Sequence, residues 1–243
     1  MPLAKEHNSP AVFRLSEFTW LLEPAGVFSI ETNRRIHETA KWLRTNHGGI
    51  FCQVVPAYHA LMVELHQAVN RLNAALIKPG AMETLLKAAW NACLQNEQQA
   101  PHLLEIPVCY HPALNNDLEA VSLVLGLPIE NIVRLHCSHN YHVFMLGFLP
   151  GFTYMGILPV ALQIPRKSQP APVRAGAVAI AGQQTGIYPI DSPGGWHVLG
   201  YTPWKIFDAD NELRPALPEP GNLVRFLPID LQSFKSMKQW PSK

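Results

Sequence analysis

The sequence predicts an α+β protein in two parts: a small α+β unit carrying amphipathic helices, followed by an all-β barrel with wide loops. Three observations carry this reading. Before residue 99, two stretches of helical apolar spacing flank a pair of strand-like runs. The polar stretch Gln95 to Pro101 then interrupts the periodicity. Beyond Tyr141, short apolar runs are divided again and again by Pro and Gly, and most of the 22 prolines lie past Pro101. With 243 residues, 48% hydrophobic and 15% charged, the chain has apolar material for a large core.

The first helix is predicted over Ser29 to Thr45, with Ile36, Ala40 and Leu43 at i, i+4 and i+7 and Ser29 as N-cap. Ile50 to Val55 and His59 to Leu65 read as antiparallel strands joined by a Pro56-Ala57-Tyr58 turn. After the Lys78-Pro79-Gly80 break, a second helix over Ala81 to Leu94 aligns Met82, Leu85, Leu86, Ala89 and Cys93 on one face. These elements make a first domain over residues 11–99. The second, over residues 103–230, opens with a strand from Leu103 to Tyr110. Asn116-Asp117 is placed to cap a short helix through Leu118, Val121 and Leu125. Pro128 then opens another through Ile132, Val133 and His136. From Tyr141 the reading is entirely β.

A formal net charge of +1, without long blocks of one sign, leaves no electrostatic footprint for nucleic acid or an anionic membrane. The chain shows neither a secretory signal nor an apolar run long enough to span a bilayer, so the expected location is the cytoplasm. Cys52, Cys93, Cys109 and Cys137 are scattered without a CxxC pair and read as reduced thiols.

Two segments carry the candidate chemistry. In Gly147-Phe148-Leu149-Pro150-Gly151-Phe152-Thr153-Tyr154, glycines alternate with aromatics that either plug one end of the barrel or wall a pocket. In the run from Gly182 to Trp196, Gln184, Thr185 and Tyr188 offer amide, hydroxyl and phenol groups to a polar ligand. Ser192, Gly194 and Gly195 form either a purely structural tight turn or a nest of backbone N–H donors, and Trp196 closes the segment. Arg166, Lys167 and Arg174 precede this run and either face solvent or neutralise an anion. His136, His139 and His142 recur every third residue but cross from helix into strand near Asn140. That crossing scatters the rings, so no metal site is expected, and His136 reads as a site residue or a core histidine. The phosphate-loop, HExxH and GxSxG patterns are missing.

An ordered series of residues goes further: His136, Tyr141, Gly147-Phe148, Pro150-Gly151-Phe152, Tyr154, Pro165-Arg166, Ala175-Gly176, Gln184-Thr185-Gly186, Tyr188-Pro189 and Ser192-Pro193-Gly194-Gly195-Trp196. Over roughly Leu104 to Pro228 this resembles the family of 5-oxoprolinase B subunits, also called KipI-like or allophanate hydrolase subunit 1. The resemblance implies a ferredoxin-like N-terminal domain followed by a cyclophilin-like β-barrel. It also implies an ATP-dependent hydrolase that opens 5-oxoproline to glutamate, in which this chain acts with subunits A and C and is inactive without them. ATP with magnesium then belongs to the complex, with no cofactor tightly held by this chain alone.

On that pattern Arg166 neutralises an anion and His136 assists proton transfer. Gln184, Thr185, Tyr188, Ser192, Gly194 and Gly195 contact substrate or nucleotide, and Phe148, Phe152, Tyr154 and Trp196 wall the pocket. The alternative implied by the same resemblance is a KipI-like inhibitor that binds a sensor histidine kinase. The chain departs from the family at Pro170 to Gly176, which is one residue short, at Thr153 in place of Pro, and at His197 and Tyr201.

Overall fold

A computed structural model describes residues 9–66, 78–93, 101–211 and 214–237. The chain divides into two compact units, Met1–Ala100 and Pro101–Lys243. Both hold helices and strands, as the α+β reading requires.

In the first unit, strands β1 (Ala11–Arg14), β2 (Thr19–Glu23), β3 (Phe51–Pro56) and β4 (Leu61–Leu65) form one antiparallel sheet in the order β1-β2-β4-β3. Leu61, Val63 and Leu65 alternate onto the buried face, as period-two geometry demands. Helix α1 (Ile30–His47) buries the predicted Ile36, Ala40 and Leu43, and the Ser29 hydroxyl accepts from the Thr32 amide at 3.0 Å. Asn33 is fully buried on the same helix, and its Nδ2 donates to the carbonyls of Ala57 and Tyr58, which pins the β3–β4 turn. That turn is longer than the sequence suggests. The Ala57 amide bonds to the Ala60 carbonyl, so β4 starts at Leu61 rather than His59. Helix α2 (Ala81–Ala92) buries Met82, Leu86 and Ala89 with Trp90, while Leu94 lies outside the described residues. Arg35 joins the helices: its guanidinium stacks 3.8 Å from the Trp90 ring centroid and donates twice to the Trp90 carbonyl. Most of the Gln95 to Pro101 stretch also lies outside the described residues.

The second unit contains β5 (Leu103–Cys109), α3 (Leu118–Leu125), α4 (Ile129–Cys137), β6 (Tyr141–Leu146), β7 (Thr153–Gly156), β8 (Ala171–Val173), β9 (Ala177–Ala181), β10 (Gln184–Ile187), β11 (Ser192–Gly194), β12 (His197–Tyr201), β13 (Leu223–Ile229) and α5 (Leu231–Ser236). Seven of the strands close a barrel in the order β10-β7-β6-β13-β5-β12-β9, and β8 pairs with β11 as a separate ribbon. Helix α5 is an element the all-β reading of this stretch omits. Its N-cap Asp230 accepts from the Ser233 amide at 2.7 Å.

Every residue of β9 is buried, because both of its faces pack. Val178 and Ile180 join the cluster fed by all seven barrel strands together with Leu118, Val121 and Ile132 of α3 and α4. Ala177, Ala179 and Ala181 point the other way, into a second cluster with Phe152, Tyr188 and Trp196. Small residues on this outer face leave room for large rings. Gly186 of β10 does the same: a Cβ there lies 2.6 Å from the Thr153 carbonyl oxygen and 3.0 Å from the rings of Phe152 and Trp196. Gly186→Ala is therefore expected to cost about 1–3 kcal/mol through overpacking, read as a lower urea midpoint at unchanged m-value.

Candidate functional site

The aromatics of the second cluster do not plug the barrel. They pack on its outer wall, edge to face, with Phe152 at ring-centroid distances of 4.8 Å from Tyr154, 4.9 Å from Tyr188 and 5.4 Å from Trp196. Beside them lies a cavity of about 340 Å³, walled by Phe148, Phe152, Tyr154 and Trp196 and edged by Arg166, Lys167 and Ser168. Pro170, Tyr188, Pro193, Gly194 and Gly195 complete it. The volume falls within the range of about 300–1,000 Å³ usual for small-molecule sites.

Close approach at Gly194 is obligatory, since a Cβ there collides with the Tyr188 hydroxyl. The same closeness sets the turn after β11 against the Tyr188 ring at the end of β10. Burial raises the Tyr188 and Tyr154 hydroxyls above the usual phenol range, and the nearby Arg166 charge offsets part of this. Both are neutral donors at physiological pH.

Arg166 is the cation the cavity leaves available. Its neighbours are fastened: the Pro165 carbonyl accepts from His197 Nε2 at 3.0 Å, and the Lys167 amide donates to the Gly195 carbonyl at 2.8 Å. Lys167 Nζ is bound to Asp117 Oδ2 at 2.6 Å, and the same oxygen accepts the Val198 amide at 2.7 Å. Arg174 lies outside the cavity lining, donates to the Leu114 carbonyl and stacks 4.7 Å over Tyr201. Arg166 itself is exposed and has no ion-pair partner among the described residues. An exposed guanidinium on a tethered segment, beside neutral phenols, suits a small carboxylate or phosphate.

Asp117 is a residue that sequence reasoning assigned to another task. The cap of α3 is supplied by Asn116, whose Oδ1 accepts the Leu118 amide at 3.3 Å. The Asp117 carboxylate turns instead to Lys167 and β12, contacts 50 and 81 residues away in sequence. A double-mutant cycle of Asp117→Ala with Lys167→Met is expected to return a coupling of about 1–2 kcal/mol, because the pair is partly shielded from water. Urea unfolding of the four proteins measures it.

Four sequence-predicted site residues stand away from this cavity. His136 is fully buried inside the barrel, stacked on Phe226 at 4.6 Å. Thr185 is fully buried beside it, because 184–187 is a barrel strand rather than a loop and alternate residues face opposite sides. Thr185 Oγ1 spends its hydrogen on the Ala179 carbonyl, so it accepts from His136 Nε2 at 3.0 Å. His136 Nδ1 then accepts from the Tyr110 hydroxyl at 2.9 Å, and Tyr110 accepts from the Cys137 thiol. This directed chain assigns the Nε2–H tautomer. Gln184 lies at the far end of β10, paired with Gly156 and Ala181. Ser192 pairs with Val173 in the ribbon, and its Oγ is buried without a hydrogen-bond partner among the described residues.

A family model described as the carboxyltransferase domain, subdomain C and D, matches residues 10–217. The class that barrel and pocket define is thus the carboxyltransferase-type domain. At 32% identity over 213 residues, the 5-oxoprolinase B subunit of Bacillus subtilis (strain 168) matches 86% of this chain and 88% of its own length. The Escherichia coli O157:H7 protein of the same name is 39% identical over 172 residues, 69% of this chain and 78% of that protein. A crystal structure of TTHA0988 superposes with a TM-score of 0.72 at 36% identity; the match covers 90% of this chain, which spans only 40% of that one. The urea amidolyase of K. lactis shares the fold at a TM-score of 0.70 and 16% identity, with 97% of this chain but 16% of that one covered. The chain belongs to the family of 5-oxoprolinase B subunits, the allophanate hydrolase subunit 1 family. Among the described residues, no helix is long and apolar enough to cross a membrane.

Proposed function

We propose that this chain is the B component of an ATP-dependent 5-oxoprolinase, acting with subunits A and C to hydrolyse 5-oxoproline to glutamate. The observation that carries the reading is the cavity with Arg166 held at its edge between two fastened neighbours, in a chain similar to proteins of that name. Arg166 binds the carboxylate of 5-oxoproline, and the aromatic wall accepts its lactam ring. The barrel is read as cyclophilin-like. The first unit is read as ferredoxin-like, on its β1-β2-β4-β3 order with two helices following β2 and β4 in the chain.

A magnesium triphosphate does not suit this cavity. Among the described residues its lining offers one unpaired guanidinium, an ammonium already bound to Asp117, and no carboxylate to hold a metal. ATP supplies activation of the poor lactam electrophile in the assembled enzyme, and the nucleotide is assigned to a partner chain. The contribution of this chain is to bind and orient the substrate and to exclude water from its ring. Mixing it with cognate subunits A and C and measuring 5-oxoproline-dependent ATP hydrolysis and glutamate release tests the proposal. Activity that needs all three chains is expected. The same activity from A and C alone overturns it, as does inhibition of a sensor histidine kinase by this chain with no turnover in any mixture.

A further inference from the structure

Phe148 sits at the mouth of the cavity in a conformation that nothing in the fold requires of a phenylalanine. Its φ is +69°, in the left-handed region that side chains disfavour, and its neighbours close a three-residue γ-turn in which the Leu149 amide donates to the Gly147 carbonyl at 2.9 Å. A glycine satisfies that backbone without strain. Burial does not ask for the ring either, since the residue is 63% exposed. What holds the ring is an edge-on contact with Phe152, at 5.7 Å and 86°, and the ring lines the same cavity as Arg166. Strained, exposed residues of this kind mark ligand contacts more than structural ones.

We infer that Phe148 is a specificity-determining residue of this cavity, a ring clamp that selects near-planar cyclic carboxylates over open-chain ones while Arg166 takes the carboxylate. It rests on the reading of this cavity as the 5-oxoproline site, and it extends that reading from the anion to the ring. The carboxylate alone does not distinguish 5-oxoproline from an acyclic acid, since both present the same charge. A face of aromatic carbon above the ring does.

The test uses the full chain and three probes: 5-oxoproline, pyrrole-2-carboxylate and butyrate, titrated by calorimetry or by chemical-shift changes. The wild-type chain is expected to bind the two cyclic acids about five- to ten-fold more tightly than butyrate. In Phe148→Gly the affinity for the two cyclic acids falls until this preference disappears, and the unfolding midpoint does not fall, because glycine relieves the backbone. Phe148→Tyr retains the preference. The inference is overturned if Phe148→Gly keeps the ring preference, if the wild-type chain binds no cyclic acid, or if the substitution weakens only the association with a partner chain. Its failure is separable from that of the enzyme reading: turnover by the three-chain mixture judges the enzyme, and probe binding by this chain judges the clamp.

Discussion

Replacing His136 by alanine is expected to destabilise the second unit by about 3–5 kcal/mol, the range for deleting a large core side chain that also leaves buried polar partners unpaired. The substitution removes the stack on Phe226, takes the acceptor from the Tyr110 hydroxyl and takes the donor from Thr185 Oγ1, which keeps its own bond to the Ala179 carbonyl. Burial lowers the imidazole pKa from 6.5 to about 3, with a smaller contribution from the nearby His139. The folded protein therefore keeps this ring neutral while the unfolded chain protonates it at ordinary histidine values. The stability the neutral ring confers is complete above pH 6.5, is lost as pH falls below it, and stops changing below about pH 3. The total is on the order of 5 kcal/mol, at up to about 1.4 kcal/mol per pH unit. Urea unfolding between pH 7 and pH 4 measures the slope, and a His136→Gln variant, which does not titrate, is expected to show a shallower one. Equal slopes in the two proteins contradict a neutral buried imidazole.

Arg166→Ala is expected to lower kcat/KM for 5-oxoproline in the reconstituted complex by about 10- to 100-fold, the worth of a charge-assisted hydrogen bond to a carboxylate. Arg166→Lys recovers part of this, since an ammonium supplies the charge without the two-pronged geometry. The unfolding midpoint of the isolated chain is expected to stay within the small range typical of surface substitutions, because the side chain is exposed and makes no ion pair with the described residues. Unchanged turnover in the alanine variant removes Arg166 from the site.

Local patterns made much of the fold readable. The i, i+4, i+7 spacing of Ile36, Ala40 and Leu43 and the Ser29 cap depend on neighbours in sequence and appear where their periodicity places them, and the β3–β4 hairpin forms as well, with a longer turn and a second strand that begins two residues later than expected. The aromatic wall and Arg166 also come together in one cavity. What escaped the sequence depends on which way a barrel strand faces. Thr185 and Gly186 are adjacent in the same motif, yet one lies in the interior and the other under Trp196, and only strand alternation separates them. Asp117 follows the same logic. Its place before a helix suggests a cap, and its partners become visible only when β12 and the Pro165 segment are brought beside it.

The parallel pairing of β13 with β5 joins residues 223–229 to residues 103–109 across nearly the whole second unit. The family model ends at residue 217, before this strand begins. A chain ended at that limit loses the strand between β5 and β6, and the barrel opens along two unpaired edges. During synthesis the same geometry means that no closed barrel forms until the ribosome has released β13. Until then Val224 and Phe226 cannot cover the inner face, and His136 lacks the Phe226 ring on which it stacks. Chaperone demand and aggregation risk should therefore persist until β13 has emerged, an interval in which the residues of the site are already made but the wall that supports them is not.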